Sequence, residues 1–287
     1  MLKSYYQLAK PGIIYGNAIT AAAGFFLASK GRVDWLLFIE MLGGLSLVIG
    51  GSCVLNNYID SDIDDKMERT KGRATVTGEI SKKAALIYGI CLLLLGVLIL
   101  FIHTNPIALC AALIGVVSYV ALYTPMKRVS VHSTLVGGIA GAVPPVVGYC
   151  AVTGRFDLEA LILFLILLFW QMPHFYAIAI YRRDEYAAAS VPVLSVKRGN
   201  RAAKIQIMLY IVGFIIASAL LTMLGFAGYT YLSVALLLGL IWLGLGIYRF
   251  RFVNEAEDAK WARKMFFFSL IVIILLSVAL SFGAVLP

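Results

Sequence analysis

Charged residues are scarce in this chain of 287 residues: they account for 14% of it, whereas about a quarter of a soluble domain is charged. Hydrophobic residues make up 61%, and the mean hydropathy is +0.92. This composition excludes a water-soluble globular protein, a disordered chain, a collagen and a coiled coil. It predicts an all-α integral membrane protein instead.

Cysteine is also rare, and the four cysteines show no C-x-x-C spacing and no secreted small-domain context. We predict that they are small buried hydrophobic residues, and they are Cys53, Cys91, Cys110 and Cys150. Only Lys3 and Lys10 precede the first apolar run, without an A-x-A cleavage site or an arginine-rich presequence. We therefore expect a multi-pass protein of the bacterial inner (plasma) membrane that has no cleaved leader.

Long apolar runs are what the sequence does contain. A helix needs about 20 apolar residues to cross a bilayer, and nine runs bounded by charge, Gly or Pro reach that length. They lie at about 12–29, 35–56, 84–102, 106–124, 132–152, 158–180, 205–224, 229–248 and 265–284. The chain is thus predicted to be a single domain, 1–287, of nine transmembrane helices.

The basic residues between these runs predict the orientation. With the N-terminus in the cytoplasm, 21 of the 24 Lys and Arg residues lie on the inner side, as the positive-inside rule requires. The excess charge of +9 and the pI near 9.4 then reflect topology, so no nucleic-acid partner is expected. Because 11 of the 15 acidic residues lie on the same side, we expect a functional site there.

Loop lengths indicate the same face. The inner segments 57–83 and 181–204 are long, whereas the outer connections are short, and long loops tend to carry function. Since they follow helices 2 and 6, we predict two four-helix halves plus a ninth helix, with the two segments forming an active-site cap. The small-residue pairs Gly12/Gly16 and Gly137/Gly141 predict close helix packing.

The most informative stretch follows helix 2. If that helix continues, Asn57, Asp60 and Asp64 fall at i, i+3 and i+7 on one face. Carboxylates stacked in this way repel one another unless a cation lies among them, and carboxylate and amide oxygens are ligands that Mg²⁺ prefers. The spacing predicts a site for a metal–diphosphate complex formed by Asn57, Asp60 and Asp64.

Three further functions for this stretch fit the sequence less well. A calcium-binding loop requires a glycine at its sixth position, which is absent here. A solvated acidic loop is less expected directly beside a bilayer. A cation-coupled transporter would carry ionisable residues near the midplane of several spans, whereas here most lie at one edge.

The N-x-x-D-x-x-x-D pattern of Asn57, Asp60 and Asp64 resembles that of the intramembrane (UbiA-type) prenyltransferase superfamily. The likeness continues through Arg69-Thr70, Arg73, Lys10-Pro11, Tyr123-Thr124, Lys127-Arg128, Pro144-Pro145, Trp170-Gln171-Met172-Pro173-His174 and Val191-Pro192-Val193-Leu194. The histidine-containing motif of helix 6 is similar to that of the heme-modifying branch and separates it from prenyltransferases that act on aromatic acids. The sequence departs from the superfamily pattern at three places. Asn57 stands where Asp is common, and Ala74 stands where Pro is usual. The second acidic motif is reduced to Asp184-Glu185-Tyr186.

The resemblance implies that farnesyl diphosphate is joined to a vinyl group of heme b, with addition of water, to give heme O and diphosphate. It implies Mg²⁺, or Mn²⁺ in its place, as the cofactor, and heme b as a substrate. The residues expected to carry the reaction are Asn57, Asp60, Asp64, Arg69, Arg73, Lys127, Arg128 and His174. The alternative within the enzyme class is a prenyltransferase that acts on another acceptor, either an aromatic molecule or a quinone precursor.

Heme would bring two propionates and an iron, so histidines and cations are the candidates to bind it. Pro173 is expected to kink helix 6 and so to place His174 at a break in the helix, where polar groups usually line a cavity. The binding candidates are His132, His174, Trp170, Tyr123, Arg182, Arg183 and Glu185, and Asp184 and Glu185 are candidates for a second metal. A downstream partner could be a heme-copper terminal oxidase or another heme-modifying enzyme.

Overall fold

The computed structural model describes residues 1–248, 250–251 and 254–286; Arg249, one of the basic residues counted above, lies outside them. Within these ranges, nine helices are long and apolar enough to cross a membrane, as predicted. They are α1 (Pro11–Ser29), α2 (Trp35–Ile59), α3 (Lys82–His103), α4 (Pro106–Met126), α5 (Ser133–Thr153), α6 (Leu158–Tyr181), α7 (Leu194–Met223), α8 (Tyr229–Ile247) and α9 (Glu255–Phe282).

Two of the predicted boundaries were wrong. Helix α7 begins at Leu194 rather than near 205, with non-helical backbone at Gly199, and α9 begins at Glu255 rather than near 265. Both extra stretches are rich in charge, so a hydropathy window detects only the part that would lie in lipid. Four short helices of the described residues lie outside the spans: Leu2–Leu8, Ser61–Asp64, Ala74–Thr77 and Arg183–Ala188.

The helix contacts repeat after four helices, as two four-helix halves require. Helix α2 packs along α3, and its counterpart α6 packs along α7, while α1 packs against its own counterpart α5. The ninth helix contacts α1, α6 and α8 and so closes the ring. This arrangement brings the segments that follow α2 and α6 to the same end of the bundle.

Glycines determine how closely α1 and α5 approach. A Cβ added at Gly24 would overlap the carbonyl oxygen of Pro145, and one added at Gly148 would overlap that of Ala21. Backbones come this close only because Gly24 and Gly148 have no side chain at the crossing.

Of the two small-residue pairs predicted to pack closely, one does and the other does not. A Cβ at Gly137 would come within 2.8 Å of the Tyr123 ring, and one at Gly141 would overlap the Gln171 amide, so this pair does pack closely. The prediction for Gly12 and Gly16 was wrong, because a Cβ added at either position would have no described residue beyond its own helix within 4 Å.

The surface of the bundle is apolar. Leu94, Leu98 and Phe101 of α3 are all more than half exposed, as expected where lipid covers the protein. The prediction for the cysteines was right for Cys53 and Cys150, which are buried, but wrong for Cys91 and Cys110, which are exposed on α3 and α4. Lipid is as apolar as a protein core, so an apolar sequence context does not decide which side a small residue faces.

Candidate active site

One end of the bundle, here called the charged end, gathers Lys10, Asp60, Asp64, Arg73 and Lys127. Helix α2 ends at Ile59, and Asp60 leaves the helical conformation with φ −89° and ψ 3° before the short helix Ser61–Asp64 begins. Backbone bonds from Asp60 to the Asn56 carbonyl and from Asp64 to the Asp60 carbonyl, both 2.9 Å, keep the two pieces joined. The continuous helix considered from the sequence is therefore bent at its central carboxylate.

Asp60 is fully buried. Its Oδ2 accepts hydrogen bonds from Asn56 Nδ2 at 2.6 Å and from Lys127 Nζ. Its Oδ1 lies 3.7 Å from Arg128 and has no hydrogen-bond partner among the described residues. Burial raises the pKa of Asp60, and the opposing effect of Lys127 is smaller. The unpaired carboxylate oxygen is of the type that coordinates a metal ion.

Asn56 connects three parts of the chain at this end. Its Oδ1 accepts a 2.7 Å bond from Lys10 Nζ, and its Nδ2 donates to Asp60 and, at 3.0 Å, to Thr124 Oγ1. Burial lowers the pKa of Lys10 to about 8. Lys10 and Asn56 were not among the predicted site residues. Their partners lie 46 and 68 residues away along the chain, so only the lysine–proline motif and the neighbouring Asn57 pointed to them.

We expect Asn56→Ala to destabilise the charged end. The substitution removes three hydrogen bonds at once and leaves the Lys10 ammonium without its acceptor, and one such loss costs about 1–3 kcal/mol. The measurement is the midpoint of thermal unfolding in detergent, with Thr124→Ser, which keeps the hydroxyl group, as the control. An unchanged midpoint in Asn56→Ala would contradict this network.

Asn57 and Asp64 face other partners. The Asn57 amide donates to the Leu8 carbonyl oxygen at 2.8 Å, while its buried Oδ1 has no hydrogen-bond partner among the described residues. Asp64 is buried and accepts from Arg73, and the Thr70 hydroxyl donates to the Asp64 backbone carbonyl at 2.9 Å. The two residues are thus fixed by contacts that leave an amide oxygen available.

Arg128 forms the rim of this cluster. Its guanidinium donates to both oxygens of Asp62, at 2.6 and 2.8 Å, and to the Ile59 carbonyl at 2.9 Å. These bonds lower the pKa of Asp62 to about 2. The pair ties the start of the segment after α2 to the end of α4 and keeps a guanidinium close to Asp60.

The end of α4 is wound more widely than an α-helix. Residues Val117–Tyr123 form a π-helical stretch, and the Thr124 hydroxyl donates to the Tyr119 carbonyl at 2.8 Å. Pro125 follows and has no N–H to donate. The rings of Tyr119 and Tyr123 stack at 5.6 Å with an angle of 12°. Such stretches are frequent at functional sites, and this one carries two stacked aromatic rings just before Lys127 in the chain.

The segments after α2 and α6 meet, as the repeat predicts. Ile63 and Met67 of the first pack with Ala189, Val191 and Val193 of the second in a small buried cluster. Tyr186 packs against the same cluster. Burial raises the pKa of Tyr186, with Arg69 and Arg182 acting in the opposite direction, so Arg69 lies near the contact between the two segments.

The reduced second acidic motif lies in the helix Arg183–Ala188. Glu185 accepts from Arg182 at 2.6 Å, and its other carboxylate oxygen is buried without a partner among the described residues. Asp184 is exposed. Arg183 pairs with Glu255 at the start of α9, so its side chain stabilises the contact with that helix and does not point to Asp60.

His132 and His174 form no hydrogen bond with the described carboxylates and cations of the charged end. Helix α6 continues through Pro173, so the predicted break at His174 was wrong. His174 Nδ1 lies 2.8 Å from the Ser269 hydroxyl of α9, and its ring stacks on Trp170 at 5.1 Å. Trp170 donates to the Ser269 carbonyl at 2.9 Å. His132 is exposed at the start of α5.

The reason for the continuous helix is that Pro173 costs only one backbone bond, and packing of α6 against α9 can compensate for it. The predicted candidates therefore separate into two groups. Asn57, Asp60, Asp64, Arg73, Lys127 and Arg128 are brought together, whereas Trp170 and His174 belong to the α6–α9 interface.

The residues of the charged end fit a hard divalent cation. Asn57 and Asp60 each contribute a buried oxygen without a hydrogen-bond partner in the described part of the chain, and leaving such an atom unsatisfied is costly. These amide and carboxylate oxygens are of the type that Mg²⁺ binds. No group of three His, Cys, Asp or Glu residues with metal-binding geometry occurs among the described residues, so any metal would depend on the Asn57 amide or on oxygens of a substrate.

A membrane-spanning helical bundle with buried carboxylates and cations gathered at one end is typical of an integral membrane enzyme. The chain belongs to the UbiA prenyltransferase family, whose sequence model matches residues 17–271. Curated relatives named protoheme IX farnesyltransferase agree. That of Sodalis glossinidius is 51% identical, covering 100% of this chain and 96% of the relative. That of Yersinia enterocolitica is 52% identical, covering 98% and 94%.

Solved structures share the fold. A digeranylgeranylglyceryl phosphate synthase superposes with a TM-score of 0.80 at 20% identity, covering 97% of this chain and 98% of the other. A UbiA homologue from Archaeoglobus fulgidus, bound to GPP and Mg²⁺, superposes with a TM-score of 0.73 at 17% identity, covering 94% and 99%. The family match and the full-length relatives make the protein a multi-pass membrane prenyltransferase rather than a cation-coupled transporter.

Proposed function

We propose that the protein transfers a farnesyl group from farnesyl diphosphate to a vinyl group of heme b, with addition of water, and releases heme O and diphosphate. The observation that carries this proposal is the identity of 51–52%, over nearly the whole chain, with relatives named protoheme IX farnesyltransferase. We place the reaction at the charged end, facing the cytoplasm of a bacterial inner membrane. The segments 57–83 and 181–204 would cap the site.

The reaction begins when the allylic C–O bond of farnesyl diphosphate breaks and its electron pair leaves with diphosphate. The terminal vinyl carbon of heme b then attacks the farnesyl carbon, and the resulting cation beside the porphyrin takes up water and loses a proton. The most demanding event is the first, because it separates negative from positive charge at the edge of an apolar medium.

Asn57, Asp60 and Asp64 would hold Mg²⁺, which when bound neutralises the leaving diphosphate. The A. fulgidus homologue was solved with GPP and Mg²⁺, in line with this cofactor. At the charged end, three carboxylates form ion pairs with three cations. The pairs are Asp60 with Lys127, Asp62 with Arg128, and Asp64 with Arg73.

Lys10 adds a fourth cation through Asn56.

The cations of the charged end would hold the diphosphate. Lys127 and Arg73 already donate to the carboxylates that would bind the metal, so both lie where a metal-bound diphosphate would sit. A guanidinium can donate two parallel bonds to phosphate oxygens, which suits Arg69, Arg73 and Arg128. The stacked rings of Tyr119 and Tyr123 are placed to stabilise an allylic cation through their faces.

Heme would approach along the apolar helices. We propose that His132, His174, Trp170, Arg182, Arg183 and Glu185 contribute to its binding rather than to cleavage of the diphosphate. The packing of His174 against Ser269 and Trp170 favours a supporting role for that residue. A heme-copper oxidase or another heme-modifying enzyme would use the product.

The test is turnover by the purified protein in lipid nanodiscs. Protein, Mg²⁺ and farnesyl diphosphate are incubated with heme b or with a small aromatic acid, and the products are analysed by mass spectrometry. We expect heme to gain one farnesyl group and one water, and the aromatic acid to remain unchanged. Prenylation of the aromatic acid without a heme product would favour the other acceptor class.

We also expect activity to depend on a divalent cation. Chelation by EDTA should reduce product formation to background, because the carboxylate and amide ligands alone cannot neutralise a leaving diphosphate. Addition of excess Mg²⁺ or Mn²⁺ should restore it. Full activity in excess EDTA, measured as heme O formed per minute, would contradict the proposed cofactor.

A further inference from the structure

The short helix Leu2–Leu8 lies against the charged end. Seven residues are too few for a stable isolated helix, so contacts must hold it. Tyr5 meets Tyr88 edge-to-face at 5.0 Å, Ser4 donates to Glu79, and Leu8 is buried. The Leu8 carbonyl accepts the Asn57 amide, which couples this helix to a proposed metal ligand.

A cavity of about 560 Å³ lies between this helix and the segment after α2. The helix contributes Lys3, Ser4, Gln7 and Leu8 to its walls. The opposite wall is formed by Asn57 at the end of α2 and by Arg69, Gly72, Arg73, Ala74 and Glu79 of the segment after it. Lys3 and Gln7 are four residues apart and thus lie on one side of the helix.

The charges around the cavity favour an anion. Its lining holds three cations and one carboxylate. Arg73 is paired with Asp64, and Glu79 accepts from Ser4. Lys3 and Arg69 form no ion pair with any described residue, so both remain available to a ligand. Because the lining is mostly polar, it does not suit a farnesyl chain or the face of a porphyrin.

We propose that this cavity is a subsite for an anionic oxygen group of a substrate, and that the N-terminal helix completes it through Lys3 and Gln7. The inference rests on the proposed function for the identity of the ligands. Two groups have the required chemistry: the diphosphate of the prenyl donor and the propionate carboxylates of heme. In either case Lys3 binds substrate from outside the nine-helix bundle.

The test is equilibrium binding to the full-length protein in nanodiscs. The probes are inorganic pyrophosphate with Mg²⁺, followed by calorimetry, and heme b and its dimethyl ester, followed by absorbance. The variants are Lys3→Gln and Lys3→Glu. The control is Lys83→Gln, which removes an exposed lysine at the start of α3 that does not line the cavity.

We expect Lys3→Gln to weaken binding of one probe by about fivefold, as for a solvent-accessible ion pair, and Lys3→Glu to weaken it further. Weaker binding of pyrophosphate would identify the donor diphosphate as the ligand. Weaker binding of heme b but not of its dimethyl ester would identify the propionates. Unchanged binding of all probes in both Lys3 variants, or an equal effect of Lys83→Gln, would overturn the proposal.

These outcomes are separable from those of the turnover assay. Binding is measured without catalysis, so loss of the Lys3 effect would leave heme farnesylation by the unaltered protein intact. Conversely, a protein that forms no heme O would still show whether Lys3 contributes to binding of pyrophosphate. The thermal unfolding midpoint of each variant confirms that the charged end is folded.

Discussion

Replacement of Asp60 by Asn is expected to lower the turnover number by roughly a thousandfold, the scale found when one charge-stabilising group is removed from an active site. The substitution keeps the shape and the bond from Asn56 but removes the negative charge that would hold Mg²⁺. Asp64→Asn should have a similar effect, because its carboxylate is the other charged ligand of the proposed set. The measurement is kcat for heme O formation with saturating substrates.

The matched control is Asp65→Asn, which alters an exposed carboxylate of the same segment. It should retain near-normal activity and the same unfolding midpoint. The Asp60 and Asp64 variants should also remain folded and extract as the intact protein, so that loss of activity cannot be attributed to misfolding. Near-normal turnover in either variant would sink the assignment of these carboxylates to the metal.

Gly148→Ala is expected to destabilise the protein by about 3 kcal/mol or more, at the upper end of the cost of overpacking. The added Cβ would overlap the Ala21 carbonyl oxygen, and neither backbone can move without separating α1 from α5. Gly24→Ala should have the same effect from the other helix. The measurement is the fraction that remains monodisperse after heating in detergent.

Gly16→Ala serves as the control in α1, because in the described part of the chain no other helix comes within 4 Å of a Cβ at that position. It should be neutral or slightly stabilising, since Ala is the better helix former by about 1 kcal/mol. If Gly148→Ala and Gly24→Ala survived heating as well as Gly16→Ala, the close α1–α5 crossing would be wrong.

The sequence predicted the number of spans because crossing a bilayer demands long apolar runs, which are visible without knowledge of their neighbours. It missed the starts of α7 and α9, where the helices continue into charged sequence. It also named Gly12 and Gly16 as packing glycines and did not name Gly24 and Gly148, which do pack closely. Local spacing cannot tell a lipid-facing glycine from one at a helix crossing.

Only part of the site could be predicted, because the sequence shows unusual residues but not the distant residues that they contact. Asp60 and Asp64 stand out because carboxylates beside a bilayer are costly and therefore noticeable. Lys127, which donates to Asp60, and Lys10, which donates to Asn56 beside it, come from distant parts of the chain. No pattern within the segment specifies which cation meets which oxygen. His174 was assigned to a cavity because Pro173 predicted a break, whereas packing against α9 keeps the helix continuous.

The central claim is that Asn57, Asp60 and Asp64 hold a divalent cation together with a prenyl diphosphate. Electron paramagnetic resonance of Mn²⁺ tests it directly, because bound Mn²⁺ loses the sharp signal of the free ion. With a non-reactive thio analogue of farnesyl diphosphate, the unaltered protein and Asp65→Asn should remove the free signal in proportion to protein added, whereas Asp60→Asn and Asp64→Asn should leave most of it. Equal Mn²⁺ binding by all four proteins would contradict the account.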